Sequence, residues 1–291
     1  MGKQSEVGIV LRGIALNKEL KFAVGLSTPI TQTILESHQP SKQGLLAMSR
    51  AATAVGLLST TLKGRQQIGI QVNGDGPLGE LYALSNAEGE LRVTANQPGA
   101  EAEPSTEVGA VVGSGRFTLI KTSDGGDPYR GTVPIFTGGI AEDLAYYFMF
   151  SEQVPTACGL GESIQEDQLI TGGYLVQSLP NPSEKTLSTL EQRVVTLPPL
   201  KDILNSQNPL DELLELLFMD DYEILEESTM CFKCPCERTK FARTLLTLGK
   251  NELRDIREQD GEMNINCHFC GEHYHFNDEE IGALIYGARE D

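Results

Sequence analysis

The chain has 291 residues, 40% of them hydrophobic, and a formal net charge of −18. This length suits one domain of ordinary size and a second, smaller one, so a core can form without disulfide staples. The negative charge repels phosphate backbones, which argues against nucleic acid as a partner. Because the sequence has neither an apolar run of membrane-helix length nor a signal-peptide pattern, we expect a cytoplasmic protein that does not bind membranes.

The first part of the chain predicts an α+β domain over residues 1–180. Residues 45–62 are apolar or small nearly all round, which is typical of a helix buried against a sheet. In IGIQV, Ile68, Ile70 and Val72 alternate with other residues, as in a half-buried strand. Turn sequences follow at NGDGPLG and NAEG, so residues 66–94 predict an antiparallel meander.

Further elements complete this domain. FTLIK (117–121), TVPIF (132–136) and GGYLVQ (172–177) predict strands, and residues 138–153 predict a helix. The apolar side of that helix is formed by Ile140, Leu144, Tyr147 and Phe148. Mixed strands and helices of this kind favour a sheet-and-helix domain.

Residues 181–230 differ in composition and predict an acidic helical linker. From Ser183 to Met230 there are 11 acidic and 3 basic residues, and eight of the acidic ones lie between Asp211 and Glu227. Ser183 can cap a first helix, and Pro209 begins a second helical run. The apolar stripe of the first helix consists of Leu187, Leu190, Val194 and Leu197. Because its acidic side chains repel one another, the linker should stay folded only while its apolar stripes are docked.

Residues 231–291 predict a small third region. Helices are expected over 237–249 and 250–259, and DGEMNIN turns into a strand that leads to CHFC, after which HYHF predicts another strand. Such a small domain buries little apolar area and needs a metal or another cross-link to stay folded.

Five of the six cysteines lie in CFKCPC (231–236) and CHFC (267–270). Clustered cysteines in a reducing compartment bind metal or perform redox chemistry more often than they form permanent disulfides. Zinc takes four tetrahedral ligands, and two pairs from separate segments supply them. The predicted ligands of one Zn²⁺ per chain are Cys234, Cys236, Cys267 and Cys270.

Alternatives remain at this centre. Cys231 forms a second C-x-x-C with Cys234, which makes that pair a rival choice of ligands. Three histidines near the second pair could compete as ligands, namely His268, His273 and His275. Cys158 stands alone and is interpreted as a buried small hydrophobe. The C-x-C spacing at Cys234 and Cys236 permits only a strained, easily reduced disulfide, which suits a switch.

The sequence resembles the 33-kDa heat-shock protein family of redox-regulated holdase chaperones. The resemblance spans essentially the whole chain and rests on FKCPCERT (232–239), CHFCGEHYHF (267–276), GDGPLG (74–79), IAEDLAYYF (140–148) and SEQVPTA (151–157). It implies a substrate-binding and dimerising first domain (1–180), a helical linker (181–230) and a zinc-binding redox switch (231–291). By position, it implies that the four ligands become the disulfides Cys234–Cys236 and Cys267–Cys270 on oxidation.

The same resemblance implies how such a protein works. On oxidation zinc is lost, the linker unfolds, and the protein forms a homodimer that holds unfolded or partly unfolded client proteins without ATP. Cys231 departs from the four-cysteine pattern of the family. We therefore expect a molecular chaperone of the oxidative stress response and not an enzyme.

Two other function classes fit less well. NGDGPLG lacks the strand–GxxxxGK–helix context of a phosphate loop, and CHFC precedes a strand instead of opening a helix, as a thioredoxin-like site does. A nucleic-acid-binding zinc ribbon needs a basic face, whereas the last 61 residues hold 8 basic and 12 acidic side chains.

Overall fold

The computed structural model describes residues 7–123, 126–165 and 168–288. The chain forms two compact units, of which unit 1 ends at Lys233 and unit 2 begins at Cys234. Among the described residues no helix is both long enough and apolar enough to cross a bilayer.

Unit 1 contains a large mixed sheet with helices. Its strands are β1 (Gly8–Ala15), β2 (Leu20–Leu26), β3 (Gln67–Gly74), β4 (Glu80–Asn86), β5 (Glu90–Ala95), β6 (Gly115–Thr122), β7 (Tyr129–Pro134), β8 (Thr156–Gln165), β9 (Gln168–Ser178) and β10 (Tyr222–Phe232). Its helices are α1 (Thr28–His38), α2 (Lys42–Ser59), α3 (Val108–Val112), α4 (Ala141–Tyr147), α5 (Glu184–Thr196), α6 (Leu200–Leu204) and α7 (Pro209–Phe218), with a π-helical turn at Phe148–Glu152.

The strands follow the order β7-β6-β3-β4-β5-β10-β1-β2-β9-β8 within the described residues. Neighbours are antiparallel except β10 and β5, which are parallel and pair only through Cys231 with Glu90 and Phe232 with Leu91. The sheet therefore consists of two antiparallel halves joined at one short contact. The predicted meander is confirmed, because β3 pairs with β4 and β4 with β5.

Helix α2 forms the centre of the unit 1 core, as its apolar sequence predicts. It begins after Ser41, whose side chain accepts a hydrogen bond from the Gly44 N–H at 3.0 Å, and it ends at Ser59, three residues before the predicted limit. Small residues let strands approach it: a Cβ added to Gly56 would lie 2.6 Å from Sδ of Met230. Met230 is fully buried, so the end of β10 is anchored in this core.

The predicted strands at 117–121 and 172–177 are confirmed as parts of β6 and β9, and the strand at 132–136 ends early, at Pro134. The helix predicted over 138–153 is shorter than expected. The α-helix ends at Tyr147, and the next five residues wind as a π-helical turn until Gln153 takes a positive φ of 57°. Its predicted apolar side is buried throughout.

The two helices predicted for the linker are present as α5 and α7, whereas α6 was not predicted and the segment after α7 is not helical. Ser183 caps α5 by accepting from the Thr186 N–H, and Pro209 occupies the first turn of α7. Helix α7 ends at Phe218, because the next residue, Met219, has a positive φ of 54°. Residues 222–230 belong to strand β10, which pairs with β1 from Tyr222–Ala15 to Met230–Gly8. The acidic residues of this segment are consequently divided between a helix, a turn and a strand.

Unit 2 is small and has a thin core. Its elements are α8 (Arg238–Leu245), a 3-10 turn (Leu246–Leu248), α9 (Lys250–Gln259), β11 (Met263–Asn266), β12 (His273–Phe276) and α10 (Asp278–Gly287). The sequence analysis predicted α9 and both strands, and it predicted one longer helix in place of α8 and the 3-10 turn. It missed α10, which is capped by the Asn277 side chain accepting from the Glu280 N–H. The buried apolar side chains in this core are Leu245, Leu253, Phe276, Ile281 and Ala288.

Candidate metal centre

Unit 2 brings four sulfur atoms together. The Sγ atoms of Cys234 and Cys267 lie 3.6 Å apart, and those of Cys236 and Cys270 lie 3.3 Å apart. All four lie within 4.8 Å of one another. Among the described residues, this cluster consists of the four cysteines that the spacing of the motifs singled out, so it could hold a metal ion.

Two different local structures present the sulfurs. Cys234 and Cys236 lie in the extended segment before α8, whereas Cys267 and Cys270 lie in the turn between β11 and β12. The turn closes because the Gly271 N–H donates to the Cys267 carbonyl at 2.8 Å and the Cys267 N–H donates to the Glu272 carbonyl at 2.9 Å. Gly271 has a φ of 72°, which favours glycine.

The thiol pKa values in the cluster are shifted in different directions. Burial raises the pKa of the Cys234 thiol to about 11, and it also raises the pKa of Cys270. Burial alone would raise the pKa of Cys267, but N–H groups of Phe269 and Cys270 donate to its sulfur and bring its pKa below the ordinary value. Four adjacent thiolates repel one another, so their joint ionisation needs a bound cation.

The arrangement fits zinc. Sulfurs at ~2.3 Å from a tetrahedral zinc ion are separated from one another by about 3.8 Å. The two separations of 3.6 and 3.3 Å are slightly shorter than that edge length. The donor set is all sulfur, which zinc accepts in closed structural sites.

The structure also places the alternative ligands. Cys231 lies on β10 in unit 1, where its N–H donates to the Gly89 carbonyl at 3.0 Å, and it is not a member of the sulfur cluster. Nor are the three histidines members; His275 pairs its Nδ1 with Oδ1 of Asn264 at 3.1 Å. Cys158 is a partly buried residue against the unit 1 core, and burial raises the pKa of its thiol.

One contact at the site was missed by the sequence analysis. The Tyr274 hydroxyl donates to Sγ of Cys236 at 3.2 Å. Strand alternation could have indicated it, because His273 and His275 are exposed on one face of β12 whereas Tyr274 and Phe276 lie on the other. Tyr274 is therefore a positioning residue that touches a candidate ligand.

A second apolar core lies in unit 1, where α5, α6 and α7 cover the face of β1, β2 and β9 opposite to α2. Leu213, Leu214, Leu217 and Phe218 of α7 are buried there, with the rings of Phe22 and Phe218 5.0 Å apart. The acidic side chains of α7 are exposed: Asp211, Glu212 and Glu215. Since a buried leucine or phenylalanine contributes about 1.5–3 kcal/mol, the docked helices conceal a substantial apolar surface.

Comparison with known proteins identifies the relatives of the chain. The sequence profile of the Hsp33 protein family matches residues 9–277. The chain belongs to the Hsp33 family. A 33 kDa chaperonin of Geobacillus sp. (strain WCH70) is 33% identical over 94% of this chain and 96% of that protein. Another, of Alkaliphilus metalliredigens (strain QYMF), is 34% identical over 95% and 98%.

A solved structure shares the fold. The 33 kDa chaperonin (heat shock protein 33 homolog) of Thermotoga maritima superposes with a TM-score of 0.90 at 27% identity and covers 96% of this chain and 98% of its own. The α+β fold class predicted from the sequence is confirmed. These relatives carry the name 33 kDa chaperonin, and membership of the same family makes this chain an Hsp33 family chaperone.

Proposed function

We propose that this member of the Hsp33 family is a redox-regulated, ATP-independent holdase. The observation that supports it most is the cluster of four cysteine sulfurs in a unit with little apolar core. A thin core makes the fold of unit 2 dependent on those sulfurs, so a change in their chemistry becomes a change in folding.

In the reduced state, Cys234, Cys236, Cys267 and Cys270 hold one Zn²⁺ as thiolates. Bound zinc supplies a structural cross-link between the segment before α8 and the β11–β12 turn, together with the positive charge that stabilises four thiolates. The N–H groups at Phe269 and Cys270 and the Tyr274 hydroxyl orient the sulfurs.

Oxidation converts these thiolate ligands into disulfides. Each pair of thiolates loses two electrons to form one S–S bond, and one molecule of hydrogen peroxide takes up these electrons and two protons from the solvent to become two molecules of water. We assign the bonds as Cys234–Cys236 and Cys267–Cys270, the pairs that the resemblance to the Hsp33 family implies. The four sulfurs can then no longer bind the metal as thiolates, and unit 2 loses the cross-link that holds it folded.

Unfolding of unit 2 affects the client-binding surface because the two are adjacent in the chain. Strand β10 ends at Phe232, two residues before Cys234, and α7 directly precedes β10. When unit 2 unfolds, the helices α5–α7 undock and expose their apolar stripes and the strand face beneath them. Exposed apolar area of this kind binds unfolding clients and pairs two protein chains in a homodimer. The active protein needs neither nucleotide nor catalytic group.

The partners follow from charge and composition. Clients are unfolded or partly unfolded proteins, and the net charge of −18 disfavours nucleic acid and anionic membranes. A cytoplasmic location keeps the thiols reduced until oxidative stress begins.

One experiment tests the proposal. Zinc release and suppression of client aggregation are measured on the same sample before and after treatment with hydrogen peroxide, with oligomeric state followed by sedimentation. We expect release, activity and dimer formation to rise together and to reverse on reduction. Equal activity in the reduced, zinc-bound protein and in the oxidised protein would refute the switch.

A further inference from the structure

Two neighbouring cavities of about 560 and 300 Å³ lie in unit 1. The larger one has walls from both halves of the sheet, because β2 and β9 of one half and β3 and β6 of the other line it. Three residues line both cavities, namely Lys21, Thr61 and Gln177, so the two adjoin. We call them together the basic cleft.

The basic cleft is positively charged although the chain is acidic. Its cationic lining residues are Arg12, Lys21, Lys63 and Lys121, and among the described residues that line it Glu152 is the one carboxylate. The whole chain, by contrast, has 41 acidic residues against 23 basic ones. A concave site lined by one sign of charge attracts ligands of the opposite sign, so this cleft selects anions.

Two of these cations already have carboxylate partners. Lys121 pairs with Glu152 at 2.8 Å, and the Tyr147 hydroxyl donates to the same carboxylate at 3.2 Å. Arg12 pairs with Glu226 at 2.6 Å. The Glu152 charge is therefore compensated within the structure and does not neutralise a second lysine.

Lys21 is the half-buried cation of the cleft that lacks such a partner. Within the part of the chain that the structure describes, its ammonium group forms neither a hydrogen bond nor an ion pair. Burial lowers the pKa of Lys21, and the positive charge of Lys121 lowers it further, against a weaker opposing effect of Glu152. A partly buried charge without a partner is unfavourable, and an anion placed between the two lysines compensates it.

The other walls of the larger cavity suit a phosphate group on a small organic molecule. The side-chain oxygen of Gln66 accepts from the Lys63 N–H at 2.8 Å, which leaves the Gln66 amide N–H groups for a ligand. Leu62, Val154 and Leu179 supply apolar surface beside the lysines. Lysine ammonium groups bind phosphate as point charges, and the apolar walls accept the organic part of the molecule.

The net charge of the chain does not exclude such a ligand. At physiological ionic strength, charges more than about 8 Å apart are largely screened, so a small anion in the cleft interacts mainly with the cations that line it. A nucleic acid differs, because most of its phosphates lie outside the cleft and face a chain with a net charge of −18.

We propose that the basic cleft binds a small molecule with a phosphate group, which pairs with Lys21 and Lys121 while the organic part packs on Leu62, Val154 and Leu179. The site lies in unit 1 and is separate from the sulfur cluster. Its occupation requires neither oxidant nor client, so this inference goes beyond the proposed switch and does not rest on it.

The test is isothermal titration calorimetry on the reduced, zinc-loaded, full-length protein in a phosphate-free buffer at about pH 8, where phosphate monoesters are dianions. The probes are phenyl phosphate, inorganic phosphate and phenol. We expect phenyl phosphate to bind about fivefold more tightly than inorganic phosphate, because its ring buries apolar area, and phenol not to bind. Equal affinity of the two phosphates would still support the site and would assign it to free phosphate.

Substitutions locate the site. Lys21→Gln should weaken binding of phenyl phosphate about tenfold, since one of the two pairing charges is lost, whereas Lys21→Arg should keep it within about twofold. Lys185→Gln, at an exposed lysine of α5 outside the cleft, makes the same change in net charge and should have no effect. Circular dichroism checks that each variant is folded.

Hydrogen exchange gives a second, independent location. Phenyl phosphate should slow exchange of the amides of residues 60–66, which follow α2 and contribute Thr61, Leu62 and Gln66 to the cleft, and should leave the amides of α9 unchanged.

Three results would overturn the proposal: no binding of either phosphate probe, equal binding of phenol and phenyl phosphate, or the same loss of affinity in Lys21→Gln and Lys185→Gln. The outcome is distinguishable from that of the proposed switch. Phosphate binding can fail in a protein that oxidation still activates, and oxidation can fail to activate a protein that still binds phenyl phosphate.

Discussion

The two units of this protein are stabilised in different ways. In unit 1, helix α2 buries 16 of its 18 residues against strands and helices. In unit 2, α9 buries only Leu253, and its Arg257 forms an exposed ion pair with Asp278 at 2.7 Å. Exposed ion pairs contribute little, at about 0–1 kcal/mol each. We therefore expect that loss of the cross-link at the four cysteines unfolds unit 2 without unfolding unit 1, and the predictions below test that difference.

The largest effect is expected from removing ligands. Cys267→Ser combined with Cys270→Ser should abolish zinc binding and unfold unit 2, because structural zinc contributes on the order of 10–16 kcal/mol in small metal domains. Metal analysis should find no zinc, and hydrogen exchange should become fast in β11 and β12 while α2 stays protected. Full zinc content in this variant would disprove the ligand assignment.

The next largest effect is expected when the linker helices undock while the zinc site stays intact. Leu213→Asp with Leu217→Asp places two charges in an apolar interface where the native side chains are 3% and 0% exposed, at a cost of at least about 3 kcal/mol. The helices should undock, and the reduced, zinc-bound variant should already suppress client aggregation. Glu212→Gln with Glu215→Gln, on the exposed face of the same helix, is the matched control.

Hydrogen exchange reports whether that variant behaves as intended. Exchange should become fast over α5–α7 and stay slow in unit 2. Strand β10 should remain protected, since it pairs with β1 and is anchored by buried Met230. A variant with fast exchange in α5–α7 that nevertheless needs oxidation for activity would show that undocking is not the activating step.

A smaller effect is expected at the sulfur cluster itself. Tyr274→Phe removes the hydroxyl that donates to Sγ of Cys236, which leaves more negative charge on that sulfur. Since one such hydrogen bond contributes about 1 kcal/mol, zinc release by hydrogen peroxide should accelerate up to about fivefold. Zinc content before oxidation should be unchanged. Tyr286→Phe, at a residue that is 91% exposed, serves as the control, and an equal or slower rate in Tyr274→Phe would contradict the role.

The smallest effect is expected at Cys231. It lies on β10 in unit 1 and outside the sulfur cluster, so Cys231→Ser should change stability by no more than about 0.5 kcal/mol. Zinc content and oxidative activation should match those of the parent protein. If either is lost, Cys231 is a ligand or a disulfide partner, and the assignment of the first cysteine pair must change.

Much of the local structure could be predicted because its signals are local. The apolar run of α2, the alternation in β3, the cap at Ser183 and the start of α7 at Pro209 each depend on neighbouring residues in the chain. The two cysteine pairs also carry a local signal. Their spacing within the chain indicates a tetrahedral metal site, and the structure brings those four sulfurs together. The same motifs indicate the family to which the chain belongs.

Other features were decided by distant contacts. Residues 222–230 are acidic and have no strand pattern of their own, yet they form β10 because β1, some 200 residues earlier, supplies an antiparallel partner and the core accepts Met230. The Tyr274–Cys236 contact arises in the same way. Hydrogen-bond partners and apolar neighbours that are remote in the chain outweigh local preference, and the sequence around each residue does not identify those partners.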